Sequence, residues 1–126
     1  MSDLRPKPQV VKLEDKEYPM QFTLNVIDDI QDHFDIAIED LEKLFNNKKK
    51  VMGNLRYILT LLINEGLDCE ADETGERKPH VDERFIGRKI KPDNMNEVIS
   101  GIYKAFSASK PKSEDEDEES PNAQSA

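Results

Sequence analysis

The stretch VMGNLRYILTLLINEG, residues 51–66, carries the densest apolar pattern of the chain. Its apolar residues recur at intervals of three and four, which is the period of one face of an α-helix. They are Val51, Leu55, Ile58, Leu59, Leu62 and Ile63. Gly66 stands where a left-handed C-cap residue would end such a helix. The pattern predicts a helix over residues 51–66 at the centre of the domain.

Two shorter helices are predicted before this central helix. Asn25 is the expected N-cap of the first, and Asp35 is the expected N-cap of the second. The apolar face of the first comprises Ile27, Ile30 and Phe34. The buried stripe of the second comprises Ile38, Leu41, Leu44 and Phe45. Asn46 and Asn47 are expected to end the second helix.

A β-hairpin is predicted at the start of the domain. The runs VVKL (residues 10–13) and EYPMQFTL (residues 17–24) are rich in β-favouring residues and flank a short charged turn. Pro19 lies inside the second run. Because proline has no backbone donor, this strand is expected at an edge, in a short pair.

Two more helices are predicted after the central helix. Residues 68–79 (DCEADETGERKP) show no apolar period and indicate a surface loop with its tip at Thr74 and Gly75. A fourth helix is expected over residues 81–90, ended by Lys91 and Pro92. Asn94 and Glu97 have capping-box spacing and predict the start of a fifth helix. Its stripe comprises Met95, Val98, Ile99, Ile102 and Phe106.

Length and composition indicate one small domain with two polar ends. The chain has 126 residues, and its charged residues and its hydrophobic residues each make up 36%. A chain of this length supplies one core. The expected organisation is a flexible arm over residues 1–9, a hairpin-plus-helical domain over 10–107 and a disordered acidic tail over 108–126. The predicted fold class is therefore α+β, mainly α, with a short hairpin and about five helices.

Charge and hydropathy exclude several partners and locations. The net charge of −9 disfavours binding to a phosphate backbone, because that binding depends on lysine and arginine. No apolar run approaches the roughly 20 residues that a transmembrane helix needs. The N-terminus lacks the features of an export signal, and the single cysteine agrees with a reducing cytoplasm. We expect a cytoplasmic protein that binds neither nucleic acid nor membrane.

Four groups of residues could carry chemistry, and a structural interpretation is favoured for each. Asp29 and His33 share a helix face, which suits a surface ion pair better than a metal site. Cys69 and His80 flank the acidic loop, but a Cys–His nucleophile also needs an orienting group and an oxyanion site, which the sequence does not show. The loop from Asp68 imitates a calcium-binding loop, yet lacks the required glycine and the final carboxylate. The remaining group is the isolated basic run Lys48, Lys49 and Lys50, which has no aromatic stacking partner.

No catalytic, cofactor or metal site is therefore predicted, and the chain is expected not to be an enzyme. The acidic run near the C-terminus is the candidate for partner binding. It comprises Glu114, Asp115, Glu116, Asp117, Glu118 and Glu119. Such a run can keep the protein soluble, attract a basic partner or imitate DNA.

Three segments, in this order, resemble the tail assembly chaperones of long-tailed bacteriophages. They are YPMQFTLNVIDDIQDHF, ILTLLINEG and ERFIGRKIKPDNMNEVISGIYKAF, and the likeness spans residues 10–106. The shared features are hydrophobic patterns, so no catalytic residue carries over. The resemblance implies a strand pair leading into a small helical bundle. It also implies a protein that coats the tape-measure protein while tail-tube subunits are recruited, in the host cytoplasm and outside the mature virion, with weak self-association left open.

Two other functions remain as alternatives to the chaperone. The first is an acidic DNA mimic or regulatory adaptor that antagonises a nucleic-acid-binding protein. The second, ranked below both, is a small hydrolase built on Asp29, His33 and Cys69.

Overall fold

The computed structural model describes residues 9–109, and within this range it contains a β-hairpin followed by five α-helices. A single 3-10 turn, Ile38–Asp40, separates the first two helices. The predicted mainly helical α+β fold is confirmed. The elements are β1 (Gln9–Leu13), β2 (Lys16–Met20), α1 (Leu24–Phe34), α2 (Lys43–Asn46), α3 (Val51–Thr74), α4 (Glu83–Lys89) and α5 (Met95–Ser109).

The hairpin places alternate side chains on the core. β1 and β2 pair in antiparallel register, with Val11 opposite Tyr18 and Val10 opposite Pro19. Because strand side chains alternate between faces, Val11 and Tyr18 are buried while Val10 is exposed. The second strand is shorter than predicted. It ends at Met20, and the next backbone N–H, that of Gln21, donates to the Leu62 carbonyl on α3 at 3.2 Å.

The capping of α1 differs from the prediction at both ends. Thr23, not Asn25, is the N-cap, and its hydroxyl oxygen accepts from the Val26 N–H at 3.3 Å. Asp35 ends α1 in the left-handed conformation with φ 54°, so it does not begin the second helix. Aspartate tolerates this conformation better than most residues. The predicted second helix is consequently divided into the 3-10 turn and the four-residue α2, although Leu41 and Leu44 are buried as expected.

Helix α3 extends two turns beyond the predicted end. Gly66 lies inside the helix, and Gly75 is the C-cap, with φ 81° and its N–H donating to the Ala71 carbonyl at 2.8 Å. Leu67 and Ala71 continue the buried stripe. Residues 68–74, predicted to be loop, are therefore helical. The sequence pattern missed them because Ala71 alone carries the apolar period through an acidic segment.

Helices α4 and α5 follow the predicted positions closely. Asp82 caps α4, accepting from the Phe85 N–H at 2.8 Å. Helix α5 begins at Met95 after Asn94, whose carboxamide accepts from Lys91 N–H at 2.7 Å and donates to the Lys89 carbonyl at 3.1 Å. Residues 108 and 109, which the sequence assigned to the tail, belong to α5. The rest of the predicted tail and the N-terminal arm up to residue 8 lie outside the described residues.

The core forms around α3. Ile58, Leu59, Leu62 and Ile63 have no exposed surface. The hairpin, α1, α2 and α4 pack against α3, and α5 packs against β1. Within residues 9–109, no helix is both long and apolar enough to cross a membrane.

Candidate partner-binding surface

Three large apolar side chains remain exposed in the part of the chain that the structure describes. They are Val10, Leu24 and Met52, with exposed fractions of 49%, 83% and 67%. Single exposed apolar residues are common on soluble proteins. Here, however, each of the three lines a different groove between elements. We name these the Val10 groove, the Leu24 groove and the Met52 groove.

The Met52 groove lies between the start of α3, the end of α4 and the start of α5. Its volume is about 480 Å³, and its surface is mainly apolar. Leu55 is fully buried, and Ile90 and Met95 are half-buried beside Met52. Two cations, Arg56 and Lys91, line the groove, and its lining contains no carboxylate.

The Leu24 groove lies between α1, the 3-10 turn and the end of α5. It measures about 550 Å³ and includes Ile27, Tyr103 and Phe106 beside Leu24. Carboxylates rim this groove, since Glu39 and Glu42 both line it. Burial, and then the charge of Glu42, raise the pKa of the Tyr103 hydroxyl.

The Val10 groove, between β1 and α5, is the largest at about 750 Å³ and the most polar. At one end, Glu14 in the hairpin turn bonds Lys91 at 2.9 Å and Lys89 at 3.1 Å. The hydrogen bond from Lys91 is the main cause that lowers the pKa of Glu14, and the bond from Lys89 is the next. These bonds fasten the hairpin tip to the connection between α4 and α5.

The acidic segment that resembles a calcium loop has a structural role. Asp68 lies on α3, where its carboxylate contacts Arg77 at 3.0 Å and His80 at 2.9 Å. These contacts hold the segment after α3 against the helix. Among residues 9–109, no group of three or more His, Cys, Asp or Glu side chains is arranged to hold a metal ion.

Of the three residues of the alternative hydrolase site, Asp29 and His33 lie one turn apart on α1, but Cys69 does not meet them. The His33 imidazole stacks on the Tyr57 ring, with centroids 3.9 Å apart and planes 13° apart. Cys69 lies on the same helix as Tyr57 but about 18 Å further along it. Burial, with added repulsion from Glu65 and other carboxylates, raises the pKa of the Cys69 thiol. A thiol with a raised pKa is a weaker nucleophile at neutral pH.

The remaining predicted candidates are on the surface or outside the described range. Lys48, Lys49 and Lys50 are exposed in the turn before α3. The acidic run over residues 114–119 lies outside the described residues. Sequence reasoning missed Leu24 and Met52 as surface residues. The sequence feature that could have identified them is that each is a large apolar residue outside the buried stripe of its own helix.

Comparisons of the chain with protein-family models, curated proteins and solved structures gave no match. The function of the chain is therefore inferred from its own residues and surfaces.

Proposed function

We propose that this chain is a tail assembly chaperone of a long-tailed bacteriophage. It binds the tape-measure protein, keeps it soluble in the host cytoplasm and helps to recruit tail-tube subunits around it. The observation that supports this function best is the exposure of Leu24 and Met52 at the edges of two apolar grooves. Grooves of this kind accept the apolar face of a partner helix.

The physical task suits such a domain. Before the tube encloses it, a tape-measure protein presents long helices with exposed apolar faces, which associate with one another unless they are covered. One small domain covers only a short length of a helix that rises about 1.5 Å per residue, so many copies bind side by side. The net charge of −9 keeps the coated complexes apart.

Co-expression with the tape-measure protein of the same phage tests this function. The expected result is a soluble tape-measure protein that co-purifies with several copies of the chain. A tape-measure protein that stays insoluble and unbound would contradict the proposal. A double variant, Leu24→Ser with Met52→Ser, removes both exposed apolar side chains and should lose most of the effect.

An acidic decoy is the second candidate, and one observation favours it. Helix α3 carries a run of carboxylates on a rigid scaffold, whereas a mimic of DNA needs charges held in fixed positions. They are Glu65, Asp68, Glu70, Asp72 and Glu73. Asp68 and Asp72 are already engaged by Arg77, which weakens this face. Salt-sensitive capture of a DNA-binding protein, without tape-measure binding, would favour the decoy.

A further inference from the structure

Gly53, in the first turn of α3, is a helical glycine with open space beside it. A methyl group built on Gly66, Gly87 or Gly101 meets another part of the protein within 4 Å. Around Gly53 there is nothing within 4 Å. Gly53 is the third residue of α3, and the space beside it is open to a partner.

The open space beside Gly53 is part of the Met52 groove. Gly53 lines this groove next to exposed Met52, opposite Met95. Small residues let the backbone of a second helix come close, as in tightly packed helix pairs. Methionine side chains adapt to different apolar partners because they are unbranched and polarizable. The groove therefore combines a position without a side chain, Gly53, with the adaptable side chains of Met52 and Met95.

The side chains that line this groove carry positive charge, although the whole chain is acidic. Arg56 and Lys91 line it, and Lys91 is also bonded to Glu14 at 2.9 Å. The exposed lysines 48, 49 and 50 lie in the turn just before Met52. Arg56 is only loosely engaged, since its Nε lies 3.6 Å from a Glu83 oxygen, longer than a hydrogen bond. Carboxylates flanking the apolar face of a partner helix would find cations on this rim.

We propose that the Met52 groove binds an amphipathic helix of a partner protein whose apolar stripe is flanked by carboxylates, with the partner backbone seated over Gly53. This inference rests on the proposed function and names the surface by which the client is held. The inference also gives the orientation of the bound partner helix. Its apolar stripe faces Met52 and Met95, and its acidic flanks face Arg56 and lysines 48, 49 and 50.

Two labelled peptides of about 20 residues, long enough to be helical, test this pairing. Both carry one stripe of leucine and alanine, flanked by glutamate in one peptide and by lysine in the other. The full-length chain should bind the glutamate peptide about threefold to tenfold tighter in low salt, as measured by fluorescence anisotropy. The net charge of −9 alone favours the lysine peptide. Tighter binding of the lysine peptide would overturn the proposal.

Substitutions locate the binding site. The leucine side chain in Gly53→Leu fills the groove, so affinity for the glutamate peptide should fall about tenfold or more. Because leucine is a good helix former, the fold should persist. Val10→Ser, at the polar Val10 groove, removes another exposed apolar side chain and is the matched control, which should leave this affinity unchanged. An unchanged affinity in the Gly53→Leu variant would overturn the assignment of the groove.

Further outcomes separate this inference from its rivals and from the proposed function. A dimer that dissociates on Met52→Glu, detected by light scattering, would make a second copy the occupant. Tighter binding of both peptides after residues 114–119 are changed to glutamine and asparagine would make the chain's own acidic run the occupant, because the change in net charge alone would weaken binding of the lysine peptide. Both results would overturn the inference. If Gly53→Leu did not change tape-measure binding, the assignment of the Met52 groove would be wrong and the proposed function would stand. If the glutamate peptide bound the groove but the tape-measure protein did not bind, the proposed function would be wrong and the assignment of the groove would stand.

Discussion

Gly66 of α3 lies directly against the backbone of Pro19 in β2. A Cβ atom on Gly66 would lie 2.7 Å from both the carbonyl carbon and the carbonyl oxygen of Pro19. Real side chains do not approach backbone atoms so closely. Gln21, which follows the last residue of β2, donates its N–H to the Leu62 carbonyl on the same helix. Gly66 thus sets how closely the hairpin approaches the central helix.

Gly66→Ala should destabilise the protein although alanine is the better helix former. Overpacking a well-filled core costs about 1–3 kcal/mol, and here the obstacle is backbone, which cannot rotate away. The matched control is Gly53→Ala in the same helix, which meets no atom and should stabilise by up to about 1 kcal/mol. Thermal unfolding measures both. Equal shifts of the same sign would contradict the packing of Gly66 under Pro19.

Thr23→Ala should cost about 1 kcal/mol, the usual effect of removing an N-cap hydroxyl. The Thr23 hydroxyl accepts from the Val26 N–H and donates to the Glu65 carboxylate on α3, so it joins two helices. Thr23→Ser keeps the hydroxyl and is the control. Denaturant unfolding should separate the two variants, and a Ser variant as unstable as the Ala variant would show that the methyl group matters instead.

The apolar period predicted the helices well, and the errors arose where one element touches another. The buried residues of α3 between Leu55 and Ile63 follow from their spacing alone. Gly66 was misassigned as a helix cap because glycine is required there by the close approach of Pro19, a contact between segments far apart in sequence. Thr23 was missed because asparagine is preferred over threonine at the N-cap, which favoured Asn25. The hydrogen bond from Thr23 to Glu65 exists only in the folded domain.

The candidate surface was harder to predict than the fold. The Met52 groove joins residues near positions 52, 87 and 95, and the Leu24 groove joins positions 24, 38 and 103. Local sequence does not report which helix ends meet. The acidic run over residues 114–119 stays a prediction.

The Glu14 contacts make part of the stability pH-dependent. Lys91 and then Lys89 lower the pKa of Glu14 from its ordinary 4.5, so its contribution is present above that value and is lost as the pH falls through the lower folded pKa. Glu14 raises the pKa of Lys91, so the contribution of charged Lys91 to stability is lost only as the pH rises through the raised value, above 10.5.

Glu14→Gln should lower the melting temperature at neutral pH, and the difference from wild type should vanish in acid. Glu76→Gln, in the exposed loop after α3, is the control. A difference that persists at acidic pH would show that the carboxylate charge is not responsible.

Cys69 should react slowly with iodoacetamide at neutral pH. Burial is the main cause of its raised pKa, and the charge of Glu65 adds to it, so the thiolate fraction is small. The rate should rise toward alkaline pH, and unfolding in denaturant should restore the rate of an ordinary thiol. A Cys69 that reacts faster than glutathione at neutral pH would mark an activated nucleophile and revive the hydrolase alternative.

The most direct test of the chaperone account is the affinity of the chain for its tape-measure protein at low salt and at about 1 M salt, where screening reduces the Debye length to about 3 Å. Apolar burial survives such screening, whereas attraction between exposed charges does not. The account predicts that affinity falls but that the complex persists, and that the double variant of Leu24 and Met52 loses binding at both salt concentrations. Complete loss of the wild-type complex at high salt, with the double variant binding as wild type does at low salt, would contradict it.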